Sequence, residues 1–422
     1  MVLIDQIKWY LKNNTWLLAV GIFFIIWKFF LIYTLFHQGL SDPRFNDAPV
    51  YIHHIESINQ HGEFTSLSYF LFTFGGYGGF EHLTYRIVLG SIAYLLGISS
   101  QAVFILSFYI GTILLLPIAV LFLSQFSHKN QLLLSFSLVF LALFNGAGSY
   151  HGFFWVVPSF FALILFLLIF TILLGDFKHW KLWIILLTPL LLFTHFIGLY
   201  FTVIPVFYIA ILGILNKNLD RALVKRTLFY LLITLFFYIP TAIHLHGSPY
   251  GGNAYGFETF GKEIGDGVLK NINKTTSADT ASFLPGFAQI KTDYFDWLFP
   301  HWLGVVSFVG IIFLLFYYKQ TKVLSLYFSG LLFTLGSSLH IFGMRSLLFT
   351  WPVTYVLYAY GAWFALIFIQ EHISDKRIRQ VFLGCATVLV VVFFILNIVY
   401  SYAWNSGSQF SIKAYVQDLL NY

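Results

Sequence analysis

Charge is scarce in this chain. Of its 422 residues only 9% are Asp, Glu, Lys or Arg, against about 25% in ordinary globular proteins, while 59% are hydrophobic. So few charged side chains cannot cover a water-facing surface, which excludes a soluble multidomain enzyme of this length. Cysteine is nearly missing as well. The single Cys385 stands inside an apolar run, so there is no intrachain disulfide, no CxxC pair and no cysteine-built metal centre. Nucleotide-binding signatures are also lacking. The Gly-rich stretches GGYGGF (75–80) and 247–267 fit neither GxGxxG nor the P-loop, and neither follows a strand in a βαβ unit. The sequence shows no internal repeat, no low-complexity tract and no soluble terminal domain.

What is abundant is apolar and aromatic. Aromatic residues reach 21%, with 51 Phe, and several of the 11 Trp (Trp16, Trp183, Trp302, Trp351, Trp404) fall where apolar runs end, as interfacial anchoring requires. A helical crossing of the hydrocarbon core needs about 20 apolar residues, with about 17 tolerable. Eleven such spans are expected: 16–36, 101–124, 132–147, 153–174, 182–196, 198–215, 227–243, 303–318, 323–340, 347–369 and 381–403. The fifth and sixth are separated by almost nothing and are interrupted by Pro189 and Pro205. They are either two crossings or a broken, partly re-entrant pair. The first span, flanked by Lys8 and Lys12 without a cleavable small-residue site, reads as a retained helix. The organisation expected is a first module over 1–243, a long external loop over 244–302, and a second module over 303–422 with a short tail.

The net charge of +6 is a statement about sides of a bilayer and not about nucleic acid. Alternating connections place fourteen Lys and Arg on one side, nearly all in short loops, and eight on the other, six of them in two long loops. The positive-inside rule then puts the N-terminus in the cytoplasm and the C-terminus outside. Twelve of the 17 acidic residues and eleven of the 14 histidines sort to the external side. Reactive polar groups are therefore expected outside, at a bacterial plasma membrane in preference to the endoplasmic reticulum.

The first external segment, 37–100, is punctuated like a folded platform. Asp47 suits a helix N-cap, Pro49 a first turn and Gly62 a C-terminal stop, with Ile52, Ile55 and Ile58 at helical spacing between them. This predicts a short helix lying in the interface. A second is predicted over Thr84 to Leu96, ending at Gly97. On spacing alone Asp47 is a helix cap; as a carboxylate at a helix N-terminus near the external span ends, it would be kept ionised.

These residues resemble a known pattern. Asp47, then Tyr51 four residues on, then helix to Gly62, is similar to the first external loop of the GT-C superfamily of polyprenyl-phosphate-sugar-dependent glycosyltransferases. HLTYRIVLGSIAYLLGISS (82–100) resembles the second interfacial helix of that family, with Leu83 and Thr84 where members usually carry a proline. RSLLFTWPVTYVLYAYGAWFAL, from Arg345, resembles its late segment, an external Arg before a Pro-containing span. The resemblance implies an all-α integral membrane fold, a GT-C-type bundle of about 11 helices. It implies inverting transfer of a sugar from a polyprenyl phosphate carrier to an unidentified glycan, lipid or protein acceptor at the external face.

In that chemistry one base accepts the acceptor hydroxyl proton and cations hold the departing phosphate. The resemblance assigns the base to Asp47. Arg345 is the first candidate for the phosphate because its planar fork matches phosphate oxygens, the alternative being a snorkelling interfacial Arg. His340 is a second phosphate candidate, or an interfacial hydrogen-bonder. Lys28, inside the first span, is a third: an intramembrane charge is costly and so marks a site by default, the alternatives being an outward snorkel or packing against a loop carboxylate. Tyr51, Glu81, His82, His151, His244, His246 and His301 are candidates for the substrate cavity. His244-x-His246 lacks clear further ligands, and the GSYHGF connection (148–153) carries no carboxylate, so no metal or other cofactor is expected. Asn273-Lys274-Thr275 is an acceptor pattern only in a eukaryotic host. The rivals are a transporter or flippase, and a non-catalytic scaffold of the same architecture.

Overall fold

The computed structural model describes residues 15–37, 48–61, 83–127, 130–143, 158–195, 197–216, 220–246, 301–338 and 343–405. Among these residues the chain is helical and contains no strand. In chain order the helices are α1 (Thr15–His37), α2 (Ala48–His61), α3 (Leu83–Leu96), α4 (Ser100–Ser124) and α5 (Gln131–Leu143). Then come α6 (Pro158–Leu174), α7 (Trp180–Thr194), the short α8 (Ile197–Phe201), α9 (Val203–Asn216) and α10 (Arg221–His246). The last are α11 (His301–Tyr317), α12 (Thr321–Ser338), α13 (Gly343–His372) and α14 (Lys376–Asn405). Each of the eleven apolar intervals overlaps helix. Five stretches are long and apolar enough to cross a membrane: Thr15–Thr34, Ser100–Ser124, Ile197–Asn216, Arg221–Ile239 and Leu348–His372. The chain is thus an all-helical protein of membrane type.

Residue placement follows an apolar solvent on one side and helix packing on the other. On α1, Leu17, Gly21, Phe24, Lys28 and Leu31 are buried, at the i, i+3/i+4 spacing of one helix face. Trp16, Ile22, Ile26, Phe30 and Tyr33 stand exposed on the other, where lipid would lie. That buried stripe packs on α4 and α5. The long helix α13 touches α5, α6, α11, α12 and α14, so the C-terminal helices are built onto the N-terminal ones. Phenylalanine fills the seams: the Phe166 ring of α6 lies 4.9 Å from Phe201 of α8 and 5.6 Å from Phe349 of α13. Such aromatic pairs add about 0.5–1.5 kcal/mol beyond the area they bury.

Small and hydroxylated residues let helices approach where hydrocarbon offers no hydrophobic drive. Between α12 and α13 the Thr334 and Thr350 hydroxyls share a hydrogen bond of 2.6 Å, and Thr350 Oγ1 also donates to the Gly330 carbonyl at 2.9 Å. Between α7 and α8 the chain reverses at His195, whose Nδ1 accepts from the Ile197 N–H at 3.1 Å. A Cβ on Gly198 would stand 2.9 Å from the Leu191 carbonyl oxygen, so no side chain larger than hydrogen fits this reversal. The fifth apolar interval is consequently a helix of only 15 residues, whereas the sixth, Ile197–Asn216, has 20.

Long-range contacts fix which connections share an end. The Arg226 guanidinium of α10 pairs with Asp176 and donates to the carbonyls of Leu173 at 3.1 Å and Gly175 at 2.6 Å, capping α6. Gly175 in turn lies against Gln125, after α4. Tyr318, after α11, donates its hydroxyl to Glu371 at the end of α13 at 2.7 Å. All these connections belong to the side to which charge sorting assigned the fourteen cations. We refer to it as the basic end.

Candidate functional site

At the opposite end two helices lie over the start of α4. Both begin and end where the sequence punctuation places them. α2 occupies Ala48–His61, between Asp47 and Gly62, and α3 stops at Gly97, whose φ of +62° is the left-handed conformation that glycine adopts without strain. The Gly97 and Ile98 amides close the helix onto the carbonyls of Tyr94 (3.3 Å) and Ala93 (3.1 Å), a Schellman turn. Ser99 then caps α4 by accepting from the Ala102 amide at 3.2 Å. Three residues therefore carry the chain from α3 into α4, a helix long and apolar enough to cross a membrane.

α2 and α3 run in the same direction, since Tyr51 meets Tyr85 at the beginning and Ile58 meets Gly90 further on. Ile55 and Ile58 of α2 and Tyr85, Leu89 and Ala93 of α3 are buried between them and α4. Tyr51 is half-buried, its ring 5.9 Å from Tyr85 and stacked at 6.4 Å on Phe104 of α4. Burial pushes the Tyr85 phenol above its ordinary range, although a hydrogen bond with Ser107 opposes this. At the junction with α4, Ser100 donates to the Glu56 carboxylate, and the Asn59 amide donates to Ile98 O and Ser100 Oγ, both at 3.3 Å. A carboxylate held at the first residue of α4 is favoured by the positive end of that helix. On its far side α3 reaches α7, where Thr84 Oγ1 donates to the Leu190 carbonyl at 3.4 Å.

The candidate residues fall as follows. Asp47 lies outside the described residues, immediately before α2, and Glu81, His82, His151 and His340 also lie outside them. His244 and His246 are in the last turn of α10, His301 opens α11, and Arg345 is in the first turn of α13. Because α10, α11 and α13 have their other ends at the basic end, these four backbone positions share the α2–α3 end of the bundle. Tyr51 joins them there as part of the packed platform. Lys28 does not sit at that end. It lies 9 residues before the end of α1 and is fully buried inside the bundle, so its stem does not run along a lipid-facing surface. Among the described residues no three His, Cys, Asp or Glu side chains gather as metal ligands would.

Two features were not singled out from sequence. Arg86 of α3 is only 2% exposed and shares the buried face with Tyr85 and Leu89. An arginine set into the apolar stripe of an interfacial helix was the available signal. The Glu56, Asn59 and Ser100 cluster joins residues more than forty positions apart, which no local pattern announces. No family model and no curated protein matches this chain.

Proposed function

We propose that this chain is a GT-C-type glycosyltransferase that moves a sugar from a polyprenyl phosphate carrier to an acceptor at the α2–α3 end of the bundle. The observation that carries this reading is the platform. Asp47 directly precedes a helix whose partner helix and α4 hold it by buried side chains, an arrangement suited to aiming a carboxylate. In this reading Asp47 takes the acceptor hydroxyl proton while the acceptor oxygen displaces phosphate at the anomeric carbon with inversion. Arg345 and His340 receive the phosphate, His244, His246 and His301 line the cavity with Glu81, His82 and His151, and no metal takes part. The basic end is then cytoplasmic and the reaction extracytoplasmic, with about eleven spans between them. Phosphate is already a competent leaving group, so one base suffices.

The test is turnover by Asp47→Asn in proteoliposomes, supplied with a panel of polyprenyl-phosphate hexoses and pentoses. Loss of a positioned general base lowers rate by about 10²–10⁴-fold. Near-normal transfer by a folded Asp47→Asn variant would remove the assignment. One observation favours a transporter instead: Lys28 is enclosed at membrane depth, as in a coupling site. Lys28-dependent solute uptake together with an inert Asp47 would select that reading.

A further inference from the structure

At the basic end, two turns break local rules of helix chemistry in the same direction. The first joins α11 to α12. Its Gln320 amide bonds the Leu315 carbonyl at 2.8 Å and its Lys319 amide bonds Phe316 at 3.0 Å, a Schellman turn whose left-handed position is the natural place for glycine. The residue there is Lys319, with φ of +54°. Lys322 follows in the first turn of α12. The second turn joins α13 to α14, and Lys376, Arg377 and Arg379 are three of the first four residues of α14. A helix N-terminus carries the positive end of the macrodipole and prefers Asp or Glu, so Lys322 and these three are each placed against the local field.

The two turns form one surface. The Tyr318 hydroxyl donates to Glu371 at 2.7 Å, and Tyr317 meets His372 Nε2 at 3.1 Å. The same contacts occupy the local carboxylates. Glu371 holds Tyr318, whose phenol is pushed up to about 12 by burial and by this bond. Asp375 caps α14, accepting from the Arg377 and Ile378 amides at 2.8 and 3.0 Å. Lys319, Lys322, Lys376 and Arg377 are exposed, with Arg379 half-buried beside them. Orientation of the chain in a membrane needs cations somewhere in these connections. It does not need one in a strained turn and four at helix N-termini, where each adds to an anion-attracting potential.

We infer that this surface binds the headgroup of an anionic phospholipid from the adjoining leaflet. The phosphodiester would sit between the two turns, beside the α12 N-terminus, where the exposed Lys319, Lys322, Lys376 and Arg377 would neutralise it, the α14 amides being already capped by Asp375. This is separate from the glycosyltransfer reading and stands or falls without it.

The experiment is native mass spectrometry of the full-length protein in detergent, titrated with phosphatidylglycerol and, in parallel, phosphatidylcholine. Wild type should prefer phosphatidylglycerol. The triple variant Lys322→Gln, Lys376→Gln, Arg377→Gln should lose roughly fivefold in that affinity per cation removed. A matched triple, Lys178→Gln, Lys181→Gln, Lys225→Gln, removes the same charge from the same end and should keep the preference. Lys319→Gly relieves the strained turn, and so provides a charge-deleted protein at least as stable as wild type that should bind more weakly. Equal binding of the two lipids, equal losses in the two triples, or displacement of the lipid by excess inorganic phosphate would each overturn the assignment.

Discussion

Replacing Gly90 by alanine tests whether α2 and α3 are locked together. A Cβ at Gly90 would lie 2.6 Å from Ile58 Cβ, 2.8 Å from its Cγ2 and 3.1 Å from its Cδ1. Ordinary carbon contacts are about 3.5–4.0 Å, so the Ile58 backbone must retreat by roughly 1 Å, since no rotamer moves a Cβ. Overpacking of this kind costs about 1–3 kcal/mol. Alanine returns about 0.5–1 kcal/mol of helix propensity, leaving a net loss between about 0 and 2.5 kcal/mol, and the 2.6 Å approach to a Cβ places it in the upper half of that range. Equilibrium unfolding in mixed micelles measures it. The double variant with Ile58→Gly, which removes that Cβ, should be less destabilised than the two single changes added, by about 0.5–3 kcal/mol. A Gly90→Ala protein as stable as wild type, with an additive double variant, would refute the close approach and with it the fixed platform before which Asp47 stands.

The Arg226 clip predicts unequal effects from its two partners: Asp176 is 95% exposed, so Asp176→Ala should cost no more than about 1 kcal/mol. Arg226→Ala leaves the Leu173 and Gly175 carbonyls without their charged donor and should cost about 2–3 kcal/mol in the same unfolding assay. Thr350→Val removes the bonds to Thr334 and Gly330 and should cost about 0.6–1.7 kcal/mol, the range for interhelical hydrogen bonds in membranes. Because the folded pKa of Tyr318 is raised above its unfolded value of about 10, its contribution is present below pH 10 and is lost as pH rises toward 12. Tyr318→Phe should therefore flatten the fall in stability over that window.

Reading ahead from sequence succeeded where the signal is local. α2 fits between Asp47 and Gly62 in the sequence, and Gly97 ends α3 in the left-handed conformation, a stop decided by neighbouring backbone. Apolar run length located the helices for the same reason. The fifth interval is displaced by only two residues, from the expected 182–196 to Trp180–Thr194, and its end is set by the approach of Gly198 to Leu191 after the chain has reversed. Lys319 shows the converse: a left-handed stop written with lysine carries no local signature, and only the fold reveals it. Of the candidate residues, Arg345, His244, His246 and His301 stand at helix termini that helix parity alone assigns to one end. The burial of Arg86 and the Glu56 to Ser100 bond depend on contacts between distant segments, which periodicity does not encode.

The brevity of α7 has a consequence for the membrane itself. Its 15 residues span about 22 Å at 1.5 Å per residue, against a hydrocarbon thickness of about 30 Å. Were α7 to cross the bilayer, the mismatch, about 8 Å, would fall on its exposed residues Leu182, Trp183, Leu186 and Leu190, and the bilayer would relieve it by thinning beside them. Since α3 leans on α7 through Thr84 and Leu190, that dimple would form next to the platform. A long-chain lipid of the proposed kind would there present its headgroup several ångströms closer to the midplane than in flat membrane, so bilayers of longer acyl chains should oppose its delivery.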